Sequence, residues 1–262
     1  MEAYVLMLEA NFLLISGCAL SEEEKQSTIS SLLAARNTVE EIRSYHTTFR
    51  CPGNIDSEGR RMYPEFYVLL LNEGKKPRII FGQRAATHIL SGNLYELEIL
   101  RLLFLLAPDD SEVQAMVSAS LERLKTTCFG SKGCSTGECF ESTLVALRFL
   151  ATVTPSDTEW MQHLVKLYLD HAADRKRSPA VVWYFWLCLT ELPLQIAEPA
   201  LHKYAFTMQG KLNTQKRSGW RSEEGKKTSI MLLCTLRRAL SSMPDEPVSS
   251  YNYQLVLNTA LQ

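Results

Sequence analysis

The chain has 262 residues, of which 46% are hydrophobic, and its formal net charge is −1 at neutral pH. This length and apolar fraction are ordinary for a protein with one sizeable core, and the nearly balanced charge excludes an overall field that attracts nucleic acids or membranes. The longest apolar run, Ala180–Leu189, is far shorter than the roughly 18 residues of a membrane span. We therefore predict no membrane span, and we do not expect a nucleic-acid partner.

The cysteine usage indicates a reducing compartment. The chain has seven cysteines, an odd count, and Cys18, Cys188 and Cys234 lie inside apolar stretches where they are typical small core residues. Neither feature suits a disulfide framework. We therefore expect a cytoplasmic location, with the nucleus as the alternative.

Residues 1–50 predict a pair of helices. The first covers Glu2–Ile15, and the second is capped by the Ser21–Glu24 stretch and continues to about Thr47. A loop rich in Pro, Gly and Asp follows. The next stretch, Tyr63–Gly82, fits either helical repeat material or a small β-hairpin near residues 66–82, and the helical character of the rest of the chain favours helix.

The remainder of the chain contains an internal repeat. Leu100–Val113 (LRLLFLLAPDDSEV) aligns with Leu147–Trp160 (LRFLATVTPSDTEW), and looser copies occur at Trp186–Leu201 and Leu236–Val248. In each copy a Leu-rich run ends at a proline and a new helix begins. The spacing of roughly 40–50 residues is typical of two-helix repeats.

Two of the proline turns carry a helix-capping signal. Asp109 with Glu112, and Ser156 with Glu159, fit the capping box, in which a short polar side chain covers the N3 amide and a glutamate reaches back to the cap amide. The proline before each box cannot continue the preceding helix, so the chain reverses there. We predict that the outer helices begin directly after Asp109 and Ser156.

The two helices of each repeat differ in their apolar faces. The inner helices are apolar nearly all round, which is typical of helices buried on several sides; they are predicted at Leu94–Ala107, Cys139–Val153 and Pro179–Leu192. The outer helices carry a single apolar stripe. One stripe consists of Val113, Met116, Val117, Leu121 and Leu124, and the next consists of Trp160, Leu164, Leu167 and His171.

The sequence thus predicts one all-α domain over residues 1–262. The N-terminal helical pair of residues 1–50 precedes helical-hairpin repeats over residues 63–262, and a short capping helix at Pro247–Gln262 closes the stack. Hairpins of this kind stack as an open, HEAT-like or armadillo-like solenoid, or they close into a toroid.

The connections between the hairpins are long and basic. They cover Thr126–Gly137, Ala172–Ser178 and Gly210–Lys227, and long insertions in such repeats commonly gather on the binding rim. We define the basic rim as Lys132, Arg175, Lys176, Arg177, Lys211, Lys216, Arg217, Trp220, Arg221, Lys226 and Lys227. This composition suits a partner with acidic or phosphate groups, although cations near helix C-termini also answer the helix dipole.

Three cysteines near the first long connection, Cys128, Cys134 and Cys139, form a second candidate site. They suit a zinc site or a redox pair, but their spacing is wider than the usual Cys-x₂₋₄-Cys knuckle and no histidine lies nearby in sequence. Because Cys139 begins a predicted helix, we expect the helix dipole to lower its thiol pKa. His163 and His171 are predicted surface residues, and we predict no cofactor.

Three stretches resemble the repeats of the prenyltransferase and terpenoid-cyclase α/α-toroid families: GECFESTLVALRFLA, SPAVVWYFWLCL and SGWRSEEGKKTSIMLLCTL. With the outer helices, the resemblance covers residues 94–243. It implies a central cavity lined by Trp183, Tyr184, Phe185 and Trp186. The catalytic patterns of these families are absent, because the chain has neither a DxDD acid nor a DDxxD magnesium motif and no matching Asp-x-Cys with a distant histidine.

The leading functional hypothesis is a non-catalytic helical-repeat scaffold, whose basic rim binds an acidic or phosphorylated segment of a protein partner. The chain also lacks a nucleophile elbow, a dinucleotide fingerprint, a Walker loop and an HExxH motif, which supports this hypothesis. The alternative is a prenyl- or terpenoid-type enzyme or carrier that holds a small apolar ligand in a central cavity. A third hypothesis is a redox sensor based on the three cysteines.

Overall fold

The computed structural model describes residues 3–38, 40–41, 54–55, 61–62, 64–66, 79–82, 88–134, 139–171, 179–215 and 222–243. These parts of the chain form an all-helical protein with one two-residue antiparallel pairing, β1 (Asn54–Ile55) with β2 (Arg61–Met62). The helices are α1 (Ala3–Ser16), α2 (Glu22–Leu33), α3 (His88–Leu106), α4 (Ser111–Lys125), α5 (Cys128–Ser131), α6 (Cys139–Val153), α7 (Thr158–His171), α8 (Pro179–Leu189), α9 (Leu194–Gln215) and α10 (Glu223–Ser241).

The N-terminal pair differs from its prediction in the length of the second helix. The capping box at Ser21 and Glu24 is confirmed, since each side chain bonds the other residue's backbone amide. However, α2 ends at Leu33 rather than near Thr47. A new capping box, between Thr38 and Glu41, interrupts the predicted helix, because Glu41 bonds the Thr38 amide while Thr38 Oγ1 accepts from the Glu41 amide.

The proline turns lie where the repeat predicts them, but the caps are shifted. The N-cap of α4 is Asp110, whose Oδ1 accepts from the amides of Glu112 and Val113 at 2.8 and 3.0 Å, so the prediction of Asp109 is wrong. Helix α7 begins at Thr158, one residue later than predicted. Helix α8 ends at Leu189, where a turn before Pro193 takes the last three predicted residues.

The burial pattern confirms two kinds of helix. In the inner helix α6 every residue from Phe140 to Ala151 except Glu141 is buried. The outer helix α4 buries Val113, Met116, Val117 and Leu124 of its predicted stripe, whereas Leu121 is half-buried. The buried stripe of α7 is Met161, Leu164, Val165 and Tyr168, rotated from the prediction because Tyr168 stacks between two core aromatic rings.

The inner helices contact one another in order. Helix α1 packs against α3, α3 against α6, α6 against α8, α8 against α10, and α10 packs against α1 again. Outside them, α2 lies on α1 and α3, α4 on α3, α7 on α6, and α9 on α7, α8 and α10. Within the described residues, no helix is long and apolar enough to cross a membrane.

Several predictions fall outside the described residues. Most of the possible β-hairpin near residues 66–82 is not described; of this range the structure describes Phe66, in a bend, and residues 79–82, a turn that ends at Gly82 with φ of 77°. The predicted capping helix at residues 247–262 also lies beyond the described ranges.

Candidate functional site

The most unusual chemistry of the molecule is a group of charged side chains buried among the inner helices. The Arg148 guanidinium on α6 is fully buried and donates in two directions. Its Nη1 donates to both carboxylate oxygens of Glu98 on α3 at 2.8 Å and to Asn11 Oδ1 on α1 at 3.1 Å. Its Nε and Nη2 form a two-bond fork to Glu191, after α8, each at 2.8 Å.

Two further residues complete this Arg148 network. Tyr184 on α8 donates its phenol hydrogen to Glu98 Oε1. The Nη2 of Arg101 on α3 lies 3.0 Å from Glu191 Oε1. The network therefore contains two carboxylates and two guanidiniums, so its formal charges cancel. One residue set thus joins α1, α3, α6, α8 and the turn after α8.

The electrostatics of the network keep Arg148 and Glu191 charged. Burial opposes the charged forms, but Glu191 and Glu98 outweigh it and raise the Arg148 pKa well above its usual value. Against the same opposition, Arg101 and Arg148 lower the Glu191 pKa to about 2. A carboxylate that is ionised and shared between two guanidiniums is a poor general base, because its proton affinity is low.

The neutral groups beside Arg148, the Tyr184 phenol and the Cys188 thiol, are also poor acids and nucleophiles. Burial and the neighbouring Glu98 raise the Tyr184 pKa well above its usual value, so its phenol stays protonated and acts as a donor. Burial also raises the Cys188 pKa, and the thiol lies 3.5 Å from the Leu144 carbonyl oxygen, to which it donates. Thiolate chemistry requires a lowered pKa, so the arrangement around Arg148 is suited to holding helices together.

A second buried ion pair fastens α4 to α3. Glu96 contacts Arg123 and accepts from Ser120 Oγ at 3.2 Å and from the Glu65 amide at 3.0 Å. Burial raises the Glu96 pKa although Arg123 opposes this shift. The pair ties an inner helix to its outer helix and to residues 64–66.

The aromatic residues that were predicted to line a cavity are packed core residues. Trp183, Tyr184, Phe185 and Trp186 are all buried, with at most 7% of each residue exposed. The Phe185 ring stacks on Tyr168 with 3.7 Å between ring centroids, and Trp183 meets Trp186 edge to face at 5.0 Å. These rings fill the space between α8 and its neighbours.

The three cysteines are brought together by the fold. The sulfur atoms of Cys128, Cys134 and Cys139 lie within 4.8 Å of one another. Cys128 and Cys139 are the first residues of α5 and α6, and Cys134 follows the turn after α5. The Cys128 side of the cluster is exposed, whereas Cys134 and Cys139 are half-buried. We call these residues the thiol cluster.

The backbone around the thiol cluster is fixed by specific contacts. Thr143 Oγ1 accepts from the Cys134 amide and donates to the Cys139 carbonyl, both at 3.1 Å. Gly133 adopts φ of 68°, and a Cβ there would lie 2.5 Å from a methyl carbon of Leu167. The turn is therefore closed against α7 by a residue without a side chain.

The pKa of Cys139 differs from its prediction. Desolvation, with the neighbouring Cys128 and Cys134, raises it to about 12, although the thiol lies at the start of α6. The expected effect of the helix dipole is outweighed because a charge there would be partly removed from water and close to two further sulfurs. Cys139 is therefore not an activated nucleophile.

Only part of the basic rim lies within the described residues. Lys132 and Lys211 are exposed, and Lys226 and Lys227 lie half-buried in the first turns of α10. The carbonyl of Lys132 lies 2.6 Å from His163 Nε2, which fastens the first long connection to α7. The other predicted members, Arg175, Lys176, Arg177, Lys216, Arg217, Trp220 and Arg221, lie outside the described residues.

A groove of about 610 Å³ runs between α1, the turn at residues 79–82 and α10. Lys227 crosses it, with Nζ 2.6 Å from Glu9 Oε2 and 5.3 Å from the centre of the Phe12 ring. We call this the α1–α10 groove. Its apolar walls consist of Val5, Leu8, Phe12, Ile80, Met231 and Leu232.

The sequence interpretation missed the Arg148 network, although a signal was present. Glu96, Glu98, Arg101 and Arg148 lie in helices that are otherwise mostly apolar. A charge on such a helix has no solvent-facing side and must find a buried partner, because an isolated buried charge is very costly. The sequence could have predicted the pairing, but not which acid meets which arginine.

These features define an all-helical protein with a charge-compensated network among its inner helices and a partly exposed cluster of three thiols. Comparison of the chain with known protein families, with curated proteins and with solved structures finds no match.

Proposed function

We propose that this protein is a non-catalytic helical scaffold that binds an acidic or phosphorylated segment of a partner protein through its basic rim. The observation that carries the proposal is the charge-compensated network around Arg148. The described groups that resemble catalytic ones, Glu98, Glu191, Tyr184 and Cys188, are occupied in internal contacts.

The order of helix contacts supports a closed ring. In an open solenoid each repeat contacts only its neighbours, so the first and last helices stay apart. Here α10 packs against α1, Arg238 donates to the Leu14 carbonyl at 3.0 Å, and Lys227 pairs with Glu9. A ring of this kind is also what the resemblance to α/α-toroid repeats implies.

The placement of the long connections supports a shared rim. In each hairpin the short turn joins an inner to an outer helix, so the long connections after α4, α7 and α9 return the chain at the opposite end. Because these helices alternate in direction, we expect the long connections to gather at one end of the ring. That end would then collect the basic residues, and clustered arginines and lysines are suited to carboxylate and phosphate groups.

The test compares the rim with a surface of equal charge. Variant Arg175→Gln/Lys176→Gln/Arg177→Gln removes three rim charges, and Lys25→Gln/Lys166→Gln/Lys203→Gln removes three from the helices. The probes are fluorescent peptides of matched length, one rich in glutamate and one carrying phosphoserine. We expect the rim variant to bind at least ~10-fold more weakly, which corresponds to about 1.4 kcal/mol.

Added salt should weaken the wild-type interaction, because exposed charges are screened. The proposal is abandoned if the two triple variants bind both peptides as the wild type does, or if neither peptide binds the wild type at low salt.

The α1–α10 groove favours a second candidate function, a carrier of an apolar ligand with an anionic head. Its volume lies within the usual range of small-molecule sites, and it combines apolar walls with Lys227, whose Nζ an anionic head would share with Glu9. The probe is farnesyl diphosphate, and the variant Leu8→Trp fills the groove. Loss of binding in this variant, with binding retained in Val182→Trp on the half-buried face of α8, would support the carrier.

A further inference from the structure

The thiol cluster combines three features that the proposed scaffold function does not use. Its sulfurs come from two helix starts and one turn, they lie within 4.8 Å of one another, and one side of the cluster faces solvent. Cys18, Cys188 and Cys234 instead lie on helices or at a helix end, and the latter two are buried.

The distances suit a metal ion. Zinc binds thiolate sulfur at about 2.3 Å, so a tetrahedral site separates its sulfurs by about 3.8 Å. The thiol cluster needs its sulfurs to approach by about 1 Å at most, a change that side-chain rotation supplies without moving the helices. A disulfide requires a sulfur separation of about 2.05 Å and would leave the third thiol unused.

Hydrogen bonds fix the backbone on which the three cysteines of the thiol cluster lie. Thr143 bonds the amide of Cys134 and the carbonyl of Cys139, so these contacts hold the two cysteine backbones together. Thr127 caps α5 by accepting from the Gly130 amide at 3.0 Å, which fixes the orientation of the helix that begins at Cys128. Such supporting contacts commonly orient metal ligands.

We propose that Cys128, Cys134 and Cys139 bind one thiolate-preferring d¹⁰ metal ion, Zn²⁺ or Cu⁺, on the surface close to Lys132 in the same connection. Three thiol protons leave to solvent as three metal–sulfur bonds form, and no electron is transferred. Cu⁺ is satisfied by three sulfurs. Zn²⁺ takes a fourth ligand from solvent on the exposed side of Cys128.

The bound ion would tie the connection after α4 to the start of α6. That connection carries Lys132, whose carbonyl also contacts His163 on α7. Metal binding would therefore fix one part of the basic rim. The metal site itself does not depend on the existence of a partner.

The experiment uses the full chain, purified reduced and metal-free, and titrated with Co²⁺ as a spectroscopic substitute for Zn²⁺. We expect sulfur-to-cobalt charge-transfer absorption that saturates at one ion per chain and disappears when Zn²⁺ is added. Cys128→Ser should weaken binding by more than the roughly 100-fold that loss of a supporting contact costs. Cys18→Ser, which removes a half-buried cysteine elsewhere, should bind as the wild type does.

Two further measurements keep the test decisive. Because a ligand that binds only the folded chain raises its stability, Zn²⁺ should raise the melting temperature of the wild type and of Cys18→Ser, but not of Cys128→Ser. A parallel titration with Cu⁺ under reducing conditions identifies which ion binds more tightly.

The proposal is overturned if neither ion binds, or if a folded Cys128→Ser variant binds as tightly as the wild type. It is also overturned if the metal-free chain takes up no metal and instead forms a disulfide within the cluster on mild oxidation, since that outcome assigns the cluster to redox chemistry.

Discussion

Arg148 is fully buried and still carries its charge, because every direction in which it donates meets an acceptor. Its three nitrogens all donate, to two carboxylates and the Asn11 amide oxygen, which is the fork geometry that suits a guanidinium. Burying two charges is costly, and only complete pairing offsets the cost. Removing one partner should therefore cost more stability than the intact pair contributes, because the other charge stays buried without compensation.

Replacing Arg148 by methionine should destabilise the protein by about 3–5 kcal/mol, because Glu98 loses its cation while it remains buried. Urea unfolding followed by circular dichroism measures the effect. The matched control is Lys125→Met, which breaks an exposed pair with Glu122 and should cost less than about 1 kcal/mol. The double variant Arg148→Met/Glu98→Gln should recover part of the loss, and equal stability of Arg148→Met and the control would contradict the interpretation.

Glu191 predicts a specific dependence of stability on pH. Its folded-state pKa of about 2 lies below its ordinary value of 4.5, so the unfolded chain binds its proton more readily. The stabilisation is complete above pH 4.5 and is lost as the pH falls towards 2. The raised Glu96 pKa acts in the opposite direction, so the wild type alone does not isolate the effect.

The variant Glu191→Gln isolates the contribution of Glu191 to the dependence of stability on pH. Urea unfolding of this variant should show lower stability at neutral pH and a shallower decline between pH 4.5 and 2 than the wild type shows. Glu159→Gln, which removes an exposed carboxylate, should follow the wild-type curve. Parallel curves for the wild type and Glu191→Gln would show that Glu191 does not supply the acid-sensitive stability.

At the scale of elements, the helices are defined by their ends as much as by their apolar faces. The inner helix α6 has the predicted bounds, because a mostly apolar run ends before a proline turn. Helix α2 ends early because the Thr38–Glu41 capping box offers the chain a new helix start. Local polar residues therefore decided boundaries that periodicity left open.

The cap of α4 provides a direct test. Asp110→Ala should destabilise the protein by about 1 kcal/mol, because the amides of Glu112 and Val113 lose their acceptor. Asp109→Ala should change stability by less than about 0.5 kcal/mol, because Asp109 is exposed and is not the cap. Thermal unfolding of the two variants measures the difference. A larger loss of stability in Asp109→Ala would instead identify Asp109 as the cap, as the repeat predicted.

At the scale of the whole molecule, the contact between the first and last described helices bears on whether the helices form an open stack or a closed ring. The pairs Arg238–Leu14 and Lys227–Glu9 join residues more than 200 positions apart in the chain. Because the proposed ring has no free end, a substitution that destabilises α1 should also destabilise α10. An open stack would confine the same change to α1 and its neighbours.

Met7→Ala tests this closure. Met7 is fully buried, and its truncation should cost about 2–5 kcal/mol. In native-state hydrogen exchange, we expect amides of α10 to lose protection together with those of α1. Val5→Ala on the exposed face of the same helix should leave both helices protected. Loss confined to α1 and α2 would favour an open arrangement.

Sequence by itself determined the helical class, the hairpin turns and the difference between inner and outer helices, because these depend on local periodicity, proline and capping residues. It also placed three cysteines near one connection. Only the tertiary structure decided that their sulfurs meet, that Arg148 joins Glu98 and Glu191, and that α10 returns to α1. Those contacts depend on the relative placement of distant helices, which no local pattern encodes.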